Sequence, residues 1–235
     1  MTGDQPKSVG DAPIDLSHRT HRRLIGVLGA LLPVLIYAIA GFRPTEGLQP
    51  WQLLTSVSAY YYTGSVAIFV GVLFALSLFL LSYPGYTKVN ADRWVGCLGG
   101  AAALGVGLFP TEAPDGLSKP TWWSPWMGVV HTVSAVMLFG AFILFSIWLF
   151  RKSDVRKRID RPFEKRMRDD VCLVCGLVMI GAVSWAAAAS MVGASIFWPE
   201  AIAILAFAIS WLVKGEVYQP VLDALRRLSA KAVDK

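Results

Sequence analysis

The chain has 235 residues, 55% of them hydrophobic and only 16% charged, with a mean hydropathy of +0.53 and a formal net charge of +6. Soluble domains carry roughly 25% charged residues, so the composition excludes an ordinary water-soluble domain and points to an all-α, polytopic membrane protein. Three cysteines, Cys97, Cys172 and Cys175, do not make a disulfide framework.

Residues 1–23 are polar and end in His18-Arg19-Thr20-His21-Arg22-Arg23. They read as a disordered tail closed by a basic anchor. They carry no secretory signal pattern, so the apolar run that follows is expected to stay as a span. That first span covers 24–41 and contains Pro33, which membrane helices tolerate. Residues 42–63 are too polar to cross. Within them 49–55 is predicted as a short interfacial helix. Trp51, Tyr60, Tyr61 and Tyr62 are of the kind that sits at headgroup level.

The second span is 65–83 and the third 94–109. The third carries Gly99, Ala103 and Gly107 at a spacing of four, with Gly96 and Gly100 beside them. Such a face lets a neighbouring backbone approach closely, which predicts a helix in the middle of the bundle. A Pro-rich loop with Trp122 and Trp123 follows and reads as an ordered interfacial belt.

The fourth span, 126–150, has no Lys, Arg, Asp or Glu, and His131 is its single ionisable group. About 20 apolar residues suffice to cross a bilayer core, and an imidazole inside such a helix needs a partner, a wet cleft or a function. Residues 151–170 are dense in both charge signs. The fifth span is 171–192, with a small-residue run at 186–190, and the sixth is 197–213. Residues 217–235 have helically spaced apolar positions and read as an amphipathic tail. The expected organisation is therefore a tail (1–23), a six-span membrane domain (24–216) and a surface tail (217–235).

With six crossings and both termini cytoplasmic, all but Arg43 and Lys119 of the 22 Lys and Arg fall on the cytoplasmic side. The positive-inside rule expects this split. The basic excess then follows topology, so nucleic acid is not an expected partner. Membrane lipids are, and homo-oligomers through small-residue helix faces are a further expectation.

The same topology puts Ser56, Ser58, Tyr60, Tyr61, Tyr62, Glu112, Asp115, His131 and Glu200 near the outer side, and of these Ser58, Tyr61, Tyr62, Glu112, His131 and Glu200, with Ser134, are the seven candidate ligand-binding residues. Glu200 opens the sixth span, where the helix dipole favours a carboxylate. Ser134 lies three residues from His131, on the same helical face. One imidazole, one or two carboxylates and several hydroxyls suit acid–base chemistry, proton coupling or headgroup binding. Against this stands a purely structural role, with His131 bonded to a neighbouring carbonyl or hydroxyl and Glu200 capping its helix. A Ser58–His131 nucleophile–base pair is conceivable, although no Gly-x-Ser-x-Gly elbow is present. No metal site and no cofactor are expected, since the outer side has one His and no Cys. On the inner side Cys172-x-x-Cys175 and His18-x-x-His21 form a nominal Cys2His2 set, but the two pairs belong to different segments.

Several stretches together carry a resemblance: SVSAYYYTG, IFVGVLFALSLFLLSYPGY, ALGVGLFPT, HTVSA and FWPEAIAILAFAISWLVKGE. Across Ser56 to Glu216 the chain resembles a widespread bacterial family of uncharacterised six-span membrane proteins. SAYYYT and SWLVKGE are its most specific pieces. Some members carry an Arg-Asp pair where this chain has Val66 and Ala67. The resemblance implies a six-span fold, residence in a bacterial inner membrane and no particular activity. A seven-span hydrolase pattern with one Ser, one Asp and three His fails here, because the spans hold one His. The leading functional expectation is an outward-facing polar pocket around His131 that binds a lipid headgroup or a small solute. A lipid-directed intramembrane hydrolase, a small-solute or proton-coupled transporter and a scaffold subunit without a site stay open beside it.

Overall fold

The computed structural model describes residues 11–83, 91–153 and 158–218. Among the described residues six α-helices make the architecture: α1 (Asp11–Phe42), α2 (Val66–Leu81), α3 (Ala91–Leu108), α4 (Pro125–Ile147), α5 (Phe163–Met191) and α6 (Phe197–Lys214). No strand occurs among the described residues. The cause is the apolarity already noted, since a backbone in hydrocarbon must satisfy its N–H and C=O groups within the segment. By length and composition α1, α4, α5 and α6 are each able to cross a membrane. α2 is a shorter apolar helix of 16 residues, or roughly 24 Å at 1.5 Å per residue.

Each helix packs on its neighbours in sequence, and α1 closes the ring by packing on α6. Small residues permit the close crossings. A Cβ on Gly96 of α3 would stand 2.8 Å from the Leu80 carbonyl oxygen of α2, and one on Gly99 would stand 3.2 Å from Ala141 Cβ of α4. Ser77 of α2 donates to the Gly100 carbonyl at 2.7 Å. The glycines of α3 are therefore occupied by α2 and α4 inside this chain.

The expectation that α3 lies at the centre is not met. α6 is the innermost helix, with 11 of its 18 residues buried, against eight of 18 in α3. It packs on α1 and α5 and also reaches α4 across the ring, where Phe207 stacks on Phe142 with centroids 3.5 Å apart. Alanines 201, 203, 206 and 208 let its neighbours approach, while Phe207 and Trp211 fill the interior. Large side chains at the middle of a small-residue helix, rather than glycines, mark the central element.

Three further boundaries differ from the sequence reading. α1 begins at Asp11, so the basic run 18–23 is helical rather than disordered. Its side chains have protein partners: His21 Nε2 donates to the Phe79 carbonyl at 2.6 Å, and Arg23 binds the Gly215 and Glu216 carbonyls. Residues 1–10 and most of the 217–235 tail lie outside the described residues. α5 begins at Phe163, because Asp169 pairs with Arg161 and Lys165 and holds the charged turns in place. The helix predicted at 49–55 is absent. Trp51 there has φ 61°, and its ring packs against Gly41, Tyr37 and Phe42. The short helix lies later, a 3-10 turn at Ser58–Tyr62. Tyr60 is fully buried in it and Tyr61 and Tyr62 are half-buried, so this triplet is tucked into the bundle rather than placed as an interfacial belt.

Candidate functional site

The segment around Ser58 is irregular backbone plugged into the helical ring, and its polar groups are met by three other elements. The Thr55 carbonyl accepts from the Ile196 N–H at 2.7 Å and from the Ser195 hydroxyl at 3.1 Å. The Val57 N–H donates to Glu200 Oε2 at 2.6 Å. The Tyr62 hydroxyl donates to the Thr111 carbonyl at 2.5 Å. Irregular backbone at membrane depth is tolerated where protein satisfies it in this way. Glu200 sits in the first turn of α6 and so faces two helix starts, its own and that of the 3-10 turn.

His131 lies in the second turn of α4, which Ser124 and Pro125 start. The residue is 5% exposed. Nδ1 is 2.7 Å from the carbonyl oxygen of Phe109, just past the end of α3, where that carbonyl has no helical partner. A carbonyl only accepts, so Nδ1 carries the proton. In the neutral imidazole Nε2 is then an acceptor, and the Ser58 hydroxyl lies 2.9 Å from it, positioned to donate. A hydroxyl, a base and a third group that orients the base are the elements of an activated nucleophile.

Ser58, His131 and Glu200 line one cleft of about 280 Å³, together with Ser56, Thr111, Thr132 and Ser190. Its far wall is α5, thinned by Ala182, Ala186 and Ala187. Val136 of α4 and Ala187 of α5 are exposed at the rim, so the cleft opens on the flank of the bundle between these two helices. A second, smaller and apolar cavity of about 50 Å³ shares Ser58, Glu200, Ala135 and Phe139 with it and continues among Phe69, Leu73, Leu138 and Phe207. The site is thus polar at its mouth and apolar in its depth.

Four of the seven candidate residues are elsewhere. Glu112 is exposed and pairs with Lys119, which also lies over the Trp123 ring. It lines a separate surface depression with Leu48, Gln52 and Asp115. Ser134 points at α3, where a Cβ on Gly105 would overlap its hydroxyl. Tyr61 packs its ring against Tyr62 and Phe69. Tyr62 is an anchor of the loop, and burial, then Tyr61 and Glu112, push its phenol up to about 12. Ser56, Thr111, Thr132 and Ser190 complete the cleft. Only Ser56 and Ser190 stood out in the sequence, one beside the tyrosine triplet and one at the end of the small-residue run.

Among the described residues no three His, Cys, Asp or Glu side chains meet as a metal site. The nominal Cys2His2 set is not assembled. His21 is held by Phe79 and Tyr83 of the α2 end, while Cys172 faces the Ser210 carbonyl of α6 at 3.9 Å. Compared with family models, with curated proteins and with solved structures, the chain matches none.

Proposed function

We propose that this chain is a six-span protein of a bacterial cytoplasmic membrane, with both termini in the cytoplasm, and that the flank cleft binds a membrane lipid by its headgroup and ester region. The observation that carries the reading is the joining of Ser58, His131 and Glu200 in one cleft that opens between α4 and α5. A small solute would reach a polar site from water. A lipid enters from the side, and an opening on the flank suits it. The apolar cavity below the polar groups suits the start of an acyl chain.

Two further features support the membrane part of the reading. The outward faces of all the helices carry apolar side chains, among them Val34, Phe74, Leu98, Val136, Val174 and Ile209, an extent of apolar surface that water-soluble monomers do not show. Lys and Arg gather at the end of the bundle that holds Arg23, Lys152 and Lys214, and they bond there to carboxylates and carbonyls of the protein itself. That placement fits an orientation signal.

The test is lipid retention. Full-length protein is purified into nanodiscs of phosphatidylethanolamine and phosphatidylglycerol, released into detergent and weighed by native mass spectrometry. Wild type should keep a lipid. An Ala186→Leu, Ala187→Leu variant, which fills the cleft wall, should lose it without a change in melting temperature. A filled cleft that keeps its lipid, or a wild-type protein that keeps none, would refute the assignment.

A further inference from the structure

We propose, resting on the lipid-binding reading of this cleft, that Ser58 and His131 cleave a carboxylic ester of the bound lipid, Ser58 acting as nucleophile and His131 as general base and acid. The arrangement is specific in its tautomer. The Phe109 carbonyl holds the proton on Nδ1 and leaves the Nε2 lone pair toward the Ser58 hydroxyl, 2.9 Å away. A structural clamp needs only the bond. Here Ser58 also lines both the cleft and the apolar cavity, at the boundary between the polar mouth and the apolar depth. An ester carbonyl lies at the same boundary in a lipid, between headgroup and chain.

The neighbouring residues supply the other requirements. Ser56 Oγ accepts from the Ala59 N–H at 2.9 Å, so its own hydrogen is left to donate, and the residue lines the cleft. In this proposal Ser56 donates to the carbonyl oxygen on which the negative charge forms. Glu200 grips the Val57 N–H, one residue before Ser58. It is a positioning residue that fixes the turn presenting the nucleophile.

The step balances with water as the only co-reactant. The Ser58 oxygen bonds to the ester carbon as its proton passes to His131 Nε2. The ester C–O bond to the glycerol side breaks, and that oxygen takes the proton from Nε2 and leaves as an alcohol. Water then gives a proton to Nε2 and attacks the acyl-serine. The serine oxygen takes the proton back, and a fatty acid departs.

The experiment uses the full chain in phosphatidylglycerol nanodiscs with a long-chain fluorophosphonate, which phosphonylates activated serines irrespective of the natural substrate. Peptide mass spectrometry should place the label on Ser58. Ser58→Ala should abolish it, His131→Gln should slow it about 100-fold or more, and Ser134→Ala, which leaves the cleft lining intact, should label at the wild-type rate. Fatty acid release from phosphatidylglycerol should fall in the same order. Wild-type labelling decides the matter even where a variant does not fold. A lipid-retaining wild-type protein that leaves Ser58 unlabelled overturns the catalytic assignment alone, as does release that survives Ser58→Ala. A wild-type protein that retains no lipid overturns the binding reading beneath it.

Discussion

At the basic end of the bundle buried charges meet partners, whereas at the opposite end polar groups of similar depth line a void. Asp92, 1% exposed, pairs with Lys152 at 3.2 Å. Asp169 takes Arg161 and Lys165, Glu216 takes Arg19 and Arg168, and Lys214 donates to the Phe150 carbonyl at 2.9 Å. Helices α1, α3, α5 and α6 and the turn after α4 are laced together there. Ser58, His131 and Glu200 are also satisfied, but by an irregular segment, and they border about 280 Å³ of unfilled space. A region that closes its polar groups on one another is structural. One that turns them toward a cleft of its own is where chemistry can occur.

The contrast predicts unequal costs. Asp169→Ala should have the largest effect. It leaves two cations in low-exposure positions without their carboxylate, a loss of about 3–5 kcal/mol when a buried pair is broken from one side. Thermal unfolding in detergent measures it, and a loss under about 1 kcal/mol would show that water or their other protein partners, such as the Phe150 carbonyl for Lys165, satisfy these cations without Asp169. Next comes Gly96→Ala, whose Cβ meets the Leu80 carbonyl oxygen at 2.8 Å. Backbone cannot swing aside, so overpacking should cost about 2 kcal/mol. Gly181→Ala on α5 meets nothing within 4 Å and should be neutral or stabilising by up to about 1 kcal/mol through helix propensity. Equal costs at the two glycines would erase the distinction between the packed and the open parts of the ring.

The helices were legible because hydrocarbon enforces them. An apolar run with no charges, such as the fourth span, has few alternatives to a helix. Ends fixed by ion pairs were not legible. Residues 163–170 look like loop by hydropathy and are helical because Asp169 reaches Arg161 and Lys165. His131 stood out as the lone ionisable group of its span, and Glu200 as a carboxylate at a helix start. Chain position gives depth along the membrane normal but not direction around the helix axis. Ser134, three residues from His131, is still turned about 60° from it around the α4 axis and faces Gly105 of α3, while Glu112 lies in a loop, where chain position fixes no direction, and pairs with Lys119. The cleft depends on a wall of α5 alanines facing α4, a pairing that no residue pattern announces.

Glu200 separates charge from hydrogen bonding at the open end. Glu200→Gln keeps an acceptor for the Val57 N–H and should change stability by less than about 1 kcal/mol, while Glu200→Ala leaves that donor without a partner and should cost about 1–2 kcal/mol. Chemical denaturation of the two variants makes the comparison. If Gln proves as costly as Ala, the negative charge at the two helix starts matters more than the bond.

The smallest effect belongs to Tyr62, which ties the open end to the Pro110–Thr111 corner. Tyr62→Phe removes one donor from the Thr111 carbonyl, but Trp123 Nε1 still donates to it at 3.1 Å, so the loss should be about 0.5–1 kcal/mol. The pH dependence is more telling than the size. The folded phenol titrates at about 12, above its usual value near 10. Between these values the unfolded chain has lost the proton that the folded chain keeps, so the Tyr62 contribution is whole below pH 10 and is lost as pH rises toward 12. The variant should show a shallower fall of melting temperature over that window than wild type, with parallel curves, the variant's lower, below it. Identical slopes above pH 10 would mean that the Tyr62 hydroxyl is open to water and that the segment carrying Ser58 is not held at this corner.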